Sequence, residues 1–399
     1  MGRVQQFAGV TAFFLAGLAC LSTGALAQQS RVFRDGNSWV EERTGTLPAT
    51  KNLKLRVTIG SVRVQGGASS ISYMIRSRVN TGSEQEARKM FEKYEISSGS
   101  RGESAWITGE WPGRWPRKFS GEVVLNVPRE MESVKIETQC GNIDVKDIVG
   151  NFDGQSGGGT VIVDTIGGTV TAETGGGDVR IGRAGGAHVV TGGGNIELGD
   201  MGGPVTLETG GGNVHLISAT GAVKAETGGG NISAQKCSSS LHAETGGGNI
   251  EIGDVGGEVD MSSGGGRLKL ASARGMVHAE TGSGRMDLGR VSGGVKAETG
   301  AGGIVVEIAA DSNFTDSELE SPAGDVIVYL SPQLAAVIRA SIDAASGHTI
   351  ISDFPDIHVT TEGDWGAKTV WAEGRLNGGG PVLKVKTSTG NIEFRRLNH

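Results

Sequence analysis

The segment Gly247-Gly-Asn-Ile-Glu-Ile-Gly-Asp-Val255 is followed by Gly256-Gly-Glu-Val-Asp-Met-Ser-Ser-Gly264 and Gly265-Gly-Arg-Leu-Lys-Leu-Ala-Ser-Ala273, three copies of one nine-residue unit. The unit repeats without a gap from Cys140 to Ala309, as eighteen units of nine residues and one of eight. Its fourth position is apolar in nearly every copy, and the fifth and seventh positions are polar. Alternation of this kind predicts a short β-strand with one buried face.

Glycine occupies the second position of every unit except one, where Ser239 stands. A position that tolerates only glycine either requires a positive φ or lies close to another strand, so each unit also contains a tight turn. A single strand of this length cannot bury its apolar face alone. Stacked copies can form a continuous core, which is the organisation of a solenoid.

A second period of eighteen residues overlies the first. Every second unit tends to end in Ala-Glu-Thr-Gly, as at Ala225–Gly228, whereas the units between carry a larger apolar residue at position six. Two units therefore make one coil. We predict an all-β fold, a right-handed β-helix of eighteen residues per coil, with one short helix over Ser83–Glu95, where Ser83 and Glu86 match a capping box.

The N-terminus resembles a secretion signal, with Arg3, an apolar run over Phe7–Leu21 and small residues before a cleavage site at Ala27. We therefore predict a signal peptide at 1–27, an N-terminal flank at 28–139, the regular solenoid at 140–309 and irregular C-terminal coils at 310–399. Export to the periplasm or cell surface follows. Lipid attachment at Cys20 is the less favoured alternative, and no transmembrane segment is expected because no later apolar run approaches about 18 residues.

The charge and cysteine content exclude some classes of function. The chain has 37 basic and 44 acidic residues, and this mild acidity argues against nucleic acid or an anionic surface as the main partner. Only Cys140 and Cys237 follow the predicted cleavage site. The repeat places them about five coils apart, beyond the roughly 7 Å that a disulfide spans, so both are predicted to be free thiols.

No catalytic, metal or cofactor site is predicted. Calcium-binding β-rolls have Gly-Gly-x-Gly-x-Asp units, but here position four is aliphatic and position six is apolar or small. Ser156 lies in a Gly-x-Ser-x-Gly match that lacks the strand-to-helix context of a hydrolase. His242 and His278 are two coils apart, and the histidines show no linear metal-binding spacing.

Two polar columns are expected along the solenoid. Position three carries Asn195, Asn213, Asn231 and Asn249, whose amides we predict to bond between coils as a structural ladder. Carboxylates stack in a second column, which contains Glu208, Glu226 and Glu244. This column could bind a cation or a surface. The favoured interpretation is a solvated stripe compensated by basic residues two positions earlier, such as Lys224 and His242.

One loop has the composition of a binding site. It combines aromatic rings, cations and prolines, and its candidate ligand or partner contacts are Trp106, Trp111, Arg114, Trp115, Arg117 and Lys118. Such residues can stack on a glycan or insert into a partner. The alternative is that the rings close the end of the solenoid, and we favour this capping role because solenoid ends must be covered.

Several segments resemble a known family. The repeats such as Thr227-Gly-Gly-Gly-Asn-Ile232, the Asp325-Val-Ile-Val-Tyr-Leu-Ser-Pro332 and Ser346–Pro355 segments and the closing Gly378–Glu393 segment are similar to the bacterial "putative adhesin" family of β-strand repeat proteins, domain of unknown function 4097. The resemblance covers 53–397. It implies a β-solenoid at the cell envelope with an adhesive role, and it supplies no catalytic residues.

Together these features favour an exported, non-enzymatic β-solenoid that presents an extended surface for adhesion or envelope interaction, with a cell-surface glycan or envelope protein as its partner and self-association possible. Two alternatives stay open. One is a polysaccharide-active β-helix enzyme, which requires an acidic cluster near the Trp106–Trp115 loop. The other is a self-assembling structural rod of the envelope.

Overall fold

A computed structural model describes residues 29–310, 313–363 and 368–397. The predicted signal peptide and Cys20 lie outside this part. The chain forms a β-solenoid of about 11 turns with roughly 18 residues per coil. Consecutive strands alternate between two sheets, here called sheet A and sheet B, which face each other across one continuous apolar core. The all-β solenoid prediction is confirmed, while its handedness stays a prediction.

The N-terminal part contains nine strands and one helix. Their bounds are β1 Gln29–Asp35, β2 Ser38–Leu47, β3 Asn52–Val57, β4 Ser61–Gly66, β5 Ile71–Val79, α1 Glu84–Lys93, β6 Glu95–Arg101, β7 Ser104–Glu110, β8 Phe119–Val127 and β9 Ser133–Thr138.

The regular region contributes nineteen strands of five or six residues, one from each unit. They are β10 Ile143–Ile148, β11 Asn151–Ser156, β12 Val161–Ile166, β13 Thr169–Thr174, β14 Val179–Ala184, β15 Gly186–Thr191, β16 Ile196–Met201, β17 Val205–Thr209, β18 Val214–Ala219, β19 Val223–Thr227, β20 Ile232–Cys237, β21 Leu241–Thr245, β22 Ile250–Val255, β23 Val259–Ser263, β24 Leu268–Ala273, β25 Val277–Thr281, β26 Met286–Val291, β27 Val295–Thr299 and β28 Ile304–Ile308.

The C-terminal part continues the stack less regularly. Its strands are β29 Ser317–Ala323, β30 Val326–Leu330, β31 Ala336–Ile342, β32 Ile350–Ser352, β33 Ile357–Glu362, β34 Thr369–Leu376, β35 Val382–Thr389 and β36 Ile392–Arg396.

Strands within each sheet of the regular region are parallel, and each residue pairs with the residue at the same position of the repeat on the neighbouring coil. Val214 pairs with Ile232, and Ile232 pairs with Ile250, so each coil advances by one eighteen-residue period. The eight-residue unit shortens one coil, and Val179 accordingly pairs with Ile196. In the short unit the buried places are taken by Ala187 and Val189, at positions three and five, which pair with Val170 and Ala172, because the missing residue is taken from the turn before the strand.

A column of threonine and serine hydroxyl groups lies inside the solenoid at position eight, for which no role was predicted from the sequence. The Thr227 Oγ1 donates to the Gly212 carbonyl at 2.8 Å and accepts from the Gly230 N–H at 3.1 Å. Ser263, two coils further along the same column, makes the same two bonds to Gly248 and Gly266. The hydroxyl therefore satisfies one buried backbone group on each of two neighbouring coils.

Replacing Thr227 by valine is expected to destabilise the protein by about 2 kcal/mol, because the isosteric side chain leaves the carbonyl and the N–H without partners. Thr227→Ser keeps the hydroxyl, as Ser263 does naturally, and should cost less than about 1 kcal/mol for the lost methyl group. The shift of the urea unfolding midpoint measures both. Equal shifts for the two variants would show that the methyl group, rather than the hydroxyl, is what the position requires.

The repeated glycines at position two owe their identity to close contact between coils. A Cβ atom placed on Gly212 would lie 2.0 Å from the Gly194 carbonyl oxygen, and one on Gly230 would lie 2.0 Å from that of Gly212. Neither glycine has a positive φ. Of the two reasons considered for this column, the structure therefore supports the approach of the neighbouring coil.

The two ends of the solenoid do not follow chain order. At the N-terminal end, β3 lies between β7 and β9, and β4 lies between β8 and β10. At the C-terminal end, β35 lies between β29 and β31, and β36 lies between β30 and β32. Each end thus contains a coil supplied from a distant part of the chain.

Antiparallel strands cover most of the outer edges. Strands β5, β2 and β1 continue sheet A beyond β8, and β6 continues sheet B beyond β7. At the other end, β34 and β33 continue sheet B beyond β31. These antiparallel strands occupy the backbone hydrogen-bonding groups at the edges of the solenoid, so those groups are not open to strands of other chains.

The predicted helix is present but shorter, at Glu84–Lys93. Ser83 caps it by accepting from the Glu86 N–H, as predicted. The Glu86 carboxylate does not return to the Ser83 N–H to close the capping box. It instead accepts from Thr81 and Lys118, because those partners are brought to it by the adjoining loops.

Cys140 and Cys237 are both free, as predicted. Cys140 is exposed, whereas Cys237 is buried at the end of β20, and burial raises the pKa of its thiol to about 11. No helix among the described residues combines the length and apolar character that a membrane crossing needs.

Candidate functional site

The tryptophan-rich loop and helix α1 form a groove at the N-terminal end of the solenoid, which we call the cap groove. Its volume is about 690 Å³. Helix α1 contributes Met90 and Lys93, and the loop between β7 and β8 contributes the rest of the lining, namely Trp111, Pro112, Arg114, Trp115, Pro116 and Arg117.

Three packed rings fix one end of this loop. The Trp111 ring lies 4.8 Å from that of Phe119 and 6.5 Å from that of Tyr94, measured between centroids. Trp111 is only 9% exposed, and its backbone N–H donates to the Thr58 hydroxyl. Trp111 therefore packs on the end of the core, and one edge of its ring reaches the groove; a capping role for the loop stays a prediction.

Tyr94 completes the cluster from the end of the helix. It is buried, and its hydroxyl donates to the Ile59 carbonyl at 3.3 Å. Burial strongly raises the pKa of this phenol, so it stays neutral. The loop and the helix thus pack on the same cluster of buried rings, and this shared packing fixes the position of the groove between them.

Lys118 ties the other end of the loop to the helix. Its ammonium group contacts the Glu86 carboxylate of α1, and this contact, with the Thr81 hydroxyl, holds the pKa of Glu86 below its usual value. Because Lys118 is engaged in this pair, it positions the loop and is not available to a ligand. The sequence-based grouping of Lys118 with the contact residues did not separate these roles.

The remaining groups of the groove are accessible. Arg114, Arg117 and Lys93 are exposed, and Trp115 is half-buried against the edge of the core. None of these three cations forms an ion pair with another residue of the described part of the chain. The cap groove therefore presents an aromatic face flanked by uncompensated positive charge.

Trp106 does not belong to the groove. It lies on β7, is 38% exposed, and faces the β6 residue Gly99, whose missing side chain makes room for the indole. Of the six candidate contacts, the structure thus gathers Trp111, Arg114, Trp115 and Arg117 and leaves Trp106 and Lys118 outside.

A second groove of about 850 Å³ runs along sheet B next to Trp111. Three carboxylates line it, those of Glu110, Glu137 and Glu173. Glu137 is paired with the Arg56 guanidinium at 3.0 Å, while Glu110 and Glu173 are exposed. These carboxylates lie beside the loop, where the enzyme alternative requires an acidic cluster, and linear sequence did not indicate this placement.

The asparagine column lies at the turns that precede the sheet A strands. The Asn195 Oδ1 accepts from the Asn213 N–H at 2.9 Å and from its Nδ2 at 3.3 Å, and the Asn213 Oδ1 accepts from the Asn231 N–H at 2.8 Å. Asn249 continues the column: its backbone N–H donates to the Asn231 Oδ1, and its own Oδ1 accepts from the Arg267 N–H. The side chains thus satisfy backbone groups of the next turn as well as one another.

The glutamate column lies on the outer face of sheet B. Register pairs Glu208 with Glu226 and Glu226 with Glu244 on successive coils. Lys224 compensates Glu226, with its Nζ 2.6 Å from Oε1. His242 lies between Glu226 and Glu244, and its other ring nitrogen contacts Asp260 on the next strand. Asp260 was not singled out from the sequence.

Comparisons with known proteins add little to this geometry. No protein-family model matches the chain, and a search of curated proteins gave no match. Solved structures with similar chains include a "putative cell adhesion protein" from Clostridium sporogenes, 9% identical over 90% of this chain and 100% of that one, with a TM-score of 0.18. A "putative adhesin" from Bacteroides fragilis is 9% identical over 90% and 97%, with a TM-score of 0.19.

A third is a "putative lipid binding protein" from Parabacteroides distasonis, 11% identical over 91% of this chain and 98% of that one, with a TM-score of 0.19. Identities and TM-scores this low establish neither a family nor a function for this protein, so the family named from its repeats remains a resemblance.

Proposed function

We propose that this protein is an exported, non-enzymatic, adhesin-like solenoid that binds acidic glycans of the cell envelope in the cap groove. One observation carries the proposal: Lys93, Arg114 and Arg117 surround the exposed part of Trp115 and have no acidic partner among the described residues. The proposal combines this groove with the predicted signal peptide and with the resemblance to adhesin-like repeat proteins.

The chemistry of the groove suits a sugar acid. A guanidinium group can bind a carboxylate, sulfate or phosphate through two parallel hydrogen bonds, which gives both affinity and orientation. The apolar face of a sugar ring can lie on an indole, as on Trp115. Because Trp111 and Lys118 hold the loop to the core and to α1, little ordering of the loop is needed on binding.

The acidic balance of the whole chain does not oppose this local attraction. Exposed charges more than a Debye length apart, about 8 Å at physiological ionic strength, are largely screened. Glycan binding in a positive groove is therefore governed by the nearby cations, while the net charge of −7 limits binding of anionic polymers elsewhere on the solenoid.

The double variant Arg114→Ala/Arg117→Ala is expected to weaken binding to polygalacturonate at least tenfold, because two charge-assisted contacts are lost and each tenfold step is about 1.4 kcal/mol. Trp115→Ala should weaken binding by a similar factor. Binding is measured by affinity electrophoresis with protein expressed from the full gene in an exporting bacterial host.

The matched control is Arg274→Ala/Arg290→Ala, which removes two exposed arginines of the regular solenoid. It should bind polygalacturonate as the parent does. Neutral dextran serves as the second ligand. Equal retardation by dextran, or equal loss in the control, contradicts an acidic-glycan site in the cap groove.

The enzyme alternative has one observation in its favour, the carboxylates of Glu110, Glu137 and Glu173 beside Trp111. A glycosidase needs one carboxylic acid kept protonated by its surroundings. Here Glu110 and Glu173 are exposed to water and Glu137 faces Arg56, so none has such surroundings. Release of reducing ends from polygalacturonate, abolished by Glu110→Gln, would support the enzyme instead.

A further inference from the structure

The outer face of sheet B brings a histidine between two carboxylates of neighbouring coils. His242 on β21 pairs in register with Lys224 on β19 and with Asp260 on β23. Glu226 and Glu244 occupy the position two residues later on β19 and β21. Residues sixteen to eighteen apart in sequence are thereby placed side by side, as the eighteen-residue period predicts.

The distances define a group of potential ligands. The His242 Nε2 lies 3.9 Å from the Glu226 Oε1 and 3.8 Å from the Glu244 Oε2, and all three donor atoms lie within 4.8 Å of one another. About two thirds of the His242 and Glu226 side chains is buried, whereas Glu244 is more exposed. The group is therefore reachable from solvent while its central members are held by neighbouring side chains.

Asp260 orients the imidazole. Its Oδ2 lies 2.9 Å from the His242 Nδ1, the distance of a hydrogen bond in which Nδ1–H donates to the carboxylate. In that tautomer Nε2 carries the lone pair, and it faces Glu226 and Glu244. A carboxylate that receives the second ring proton of a histidine is the usual outer partner of a metal-bound histidine, since it fixes the ring and increases its basicity.

We propose that Glu226, His242 and Glu244 bind a divalent transition-metal ion of the Zn²⁺ class, with Asp260 as the residue that positions His242. Zn²⁺ binds histidine nitrogen and carboxylate oxygen at about 2.0 to 2.2 Å, which places tetrahedral ligands about 3.4 Å apart. The two separations from His242 exceed this value by about half an ångström, and the two carboxylate oxygens lie within 4.8 Å of each other. Rotation of the two glutamate side chains closes that gap without movement of the strands.

The choice of metal follows from the ligands. Ca²⁺ takes six to eight oxygen ligands, and Mg²⁺ retains most of its water, so neither is selected by a site with an imidazole and two carboxylates. Imidazole nitrogen together with carboxylate oxygen suits Zn²⁺ and its first-row neighbours.

Lys224 competes with a metal ion for the Glu226 carboxylate. Its Nζ lies 2.6 Å from the Glu226 Oε1, the same oxygen that faces His242. The ammonium group must leave this oxygen before a metal ion can bind it. Other charged groups near the site are Glu208 on the preceding coil and His278, whose Nδ1 lies 3.3 Å from the Asp260 Oδ1.

A bound ion would join β19 to β21, and through Asp260 to β23. The site therefore acts across three consecutive coils at the middle of the solenoid, away from the cap groove. This inference is independent of the glycan-binding proposal, because it involves different residues and a different ligand.

The test is calorimetric titration of the full-length protein with ZnCl₂ in a Cys140→Ser background, which removes the exposed thiol as an unrelated ligand. We expect one Zn²⁺ per chain. His242→Gln and Glu244→Gln should abolish this binding, and Asp260→Asn should weaken it by about 10- to 100-fold. Lys224→Met should strengthen it, an outcome that a purely structural ion-pair stripe does not predict.

His215→Ala is the matched control, because His215 lies on β18 of the opposite sheet. It should bind as the parent does, and circular dichroism should show every variant folded. Co²⁺ provides a second readout, since its visible spectrum should change on binding to the parent and not to His242→Gln. Equal Zn²⁺ binding by the parent and His242→Gln, or unchanged affinity in Lys224→Met, overturns the proposal.

Discussion

Val385→Asp is expected to destabilise the C-terminal end of the solenoid by about 4 kcal/mol, the range measured when a buried site receives an unpaired charge. Val385 has no exposed surface, and it pairs with Leu319 of β29 on one side and Ala340 of β31 on the other. A buried aspartate here would therefore disturb the pairing of β35 with both β29 and β31, two strands that come earlier in the chain. Val359→Asp on the outermost strand β33, where the valine is 43% exposed, is the control and should cost little.

Limited proteolysis followed by mass spectrometry distinguishes the inserted arrangement from a sequential one. If β35 lies between β29 and β31, Val385→Asp should open residues 331–376 to cleavage together with the C-terminus, because β31 loses its parallel partner. Cleavage confined to residues after 381 would mean that β31 packs directly on β29. That result would contradict the inserted coil.

The sequence predicts the regular coils well because their information is local and repeated. Alternating apolar residues mark each strand, and the eighteen-residue period identifies its neighbour in the sheet. The same patterns mark β35 and β36 as strands, but they do not identify their neighbours. Glu318 pairs with Lys384 across 66 residues, a separation with no counterpart in the period. The order of the terminal coils therefore required the structure.

The candidate site was predicted in composition but not in arrangement. A loop rich in tryptophan and arginine indicates either a cap or a contact surface, and sequence alone does not show which ring is buried. The structure divides these roles between Trp111, which packs on Phe119, and Trp115, which reaches the groove. The sequence placed Glu226, His242 and Glu244 on one stacked face and allowed cation binding there, but it did not show that Asp260 of the next coil contacts the imidazole.

Gly212→Ala is expected to destabilise the solenoid by about 3 kcal/mol, at the upper end of the usual cost of overpacking. The added Cβ atom would lie 2.0 Å from the Gly194 oxygen, 2.5 Å from its carbonyl carbon and 2.9 Å from the Asn195 nitrogen, all of them backbone atoms. Relief therefore requires two coils to separate. The coil spacing is fixed by the hydrogen bonds of both sheets, so separation would strain or break several of them at once.

Gly211→Ala provides a control that differs by a single position. A Cβ atom on Gly211 meets nothing within 4 Å, and neither glycine has a positive φ, so the two variants lose the same backbone freedom and differ in contact with the next coil. We expect Gly211→Ala to stay within about 0.5 kcal/mol of the parent in urea unfolding. Comparable losses in both variants would mean that the turn needs glycine for its backbone conformation. A loss confined to Gly212→Ala would establish the distance between coils as the reason for the repeated glycine, since contact is the property in which the two positions differ.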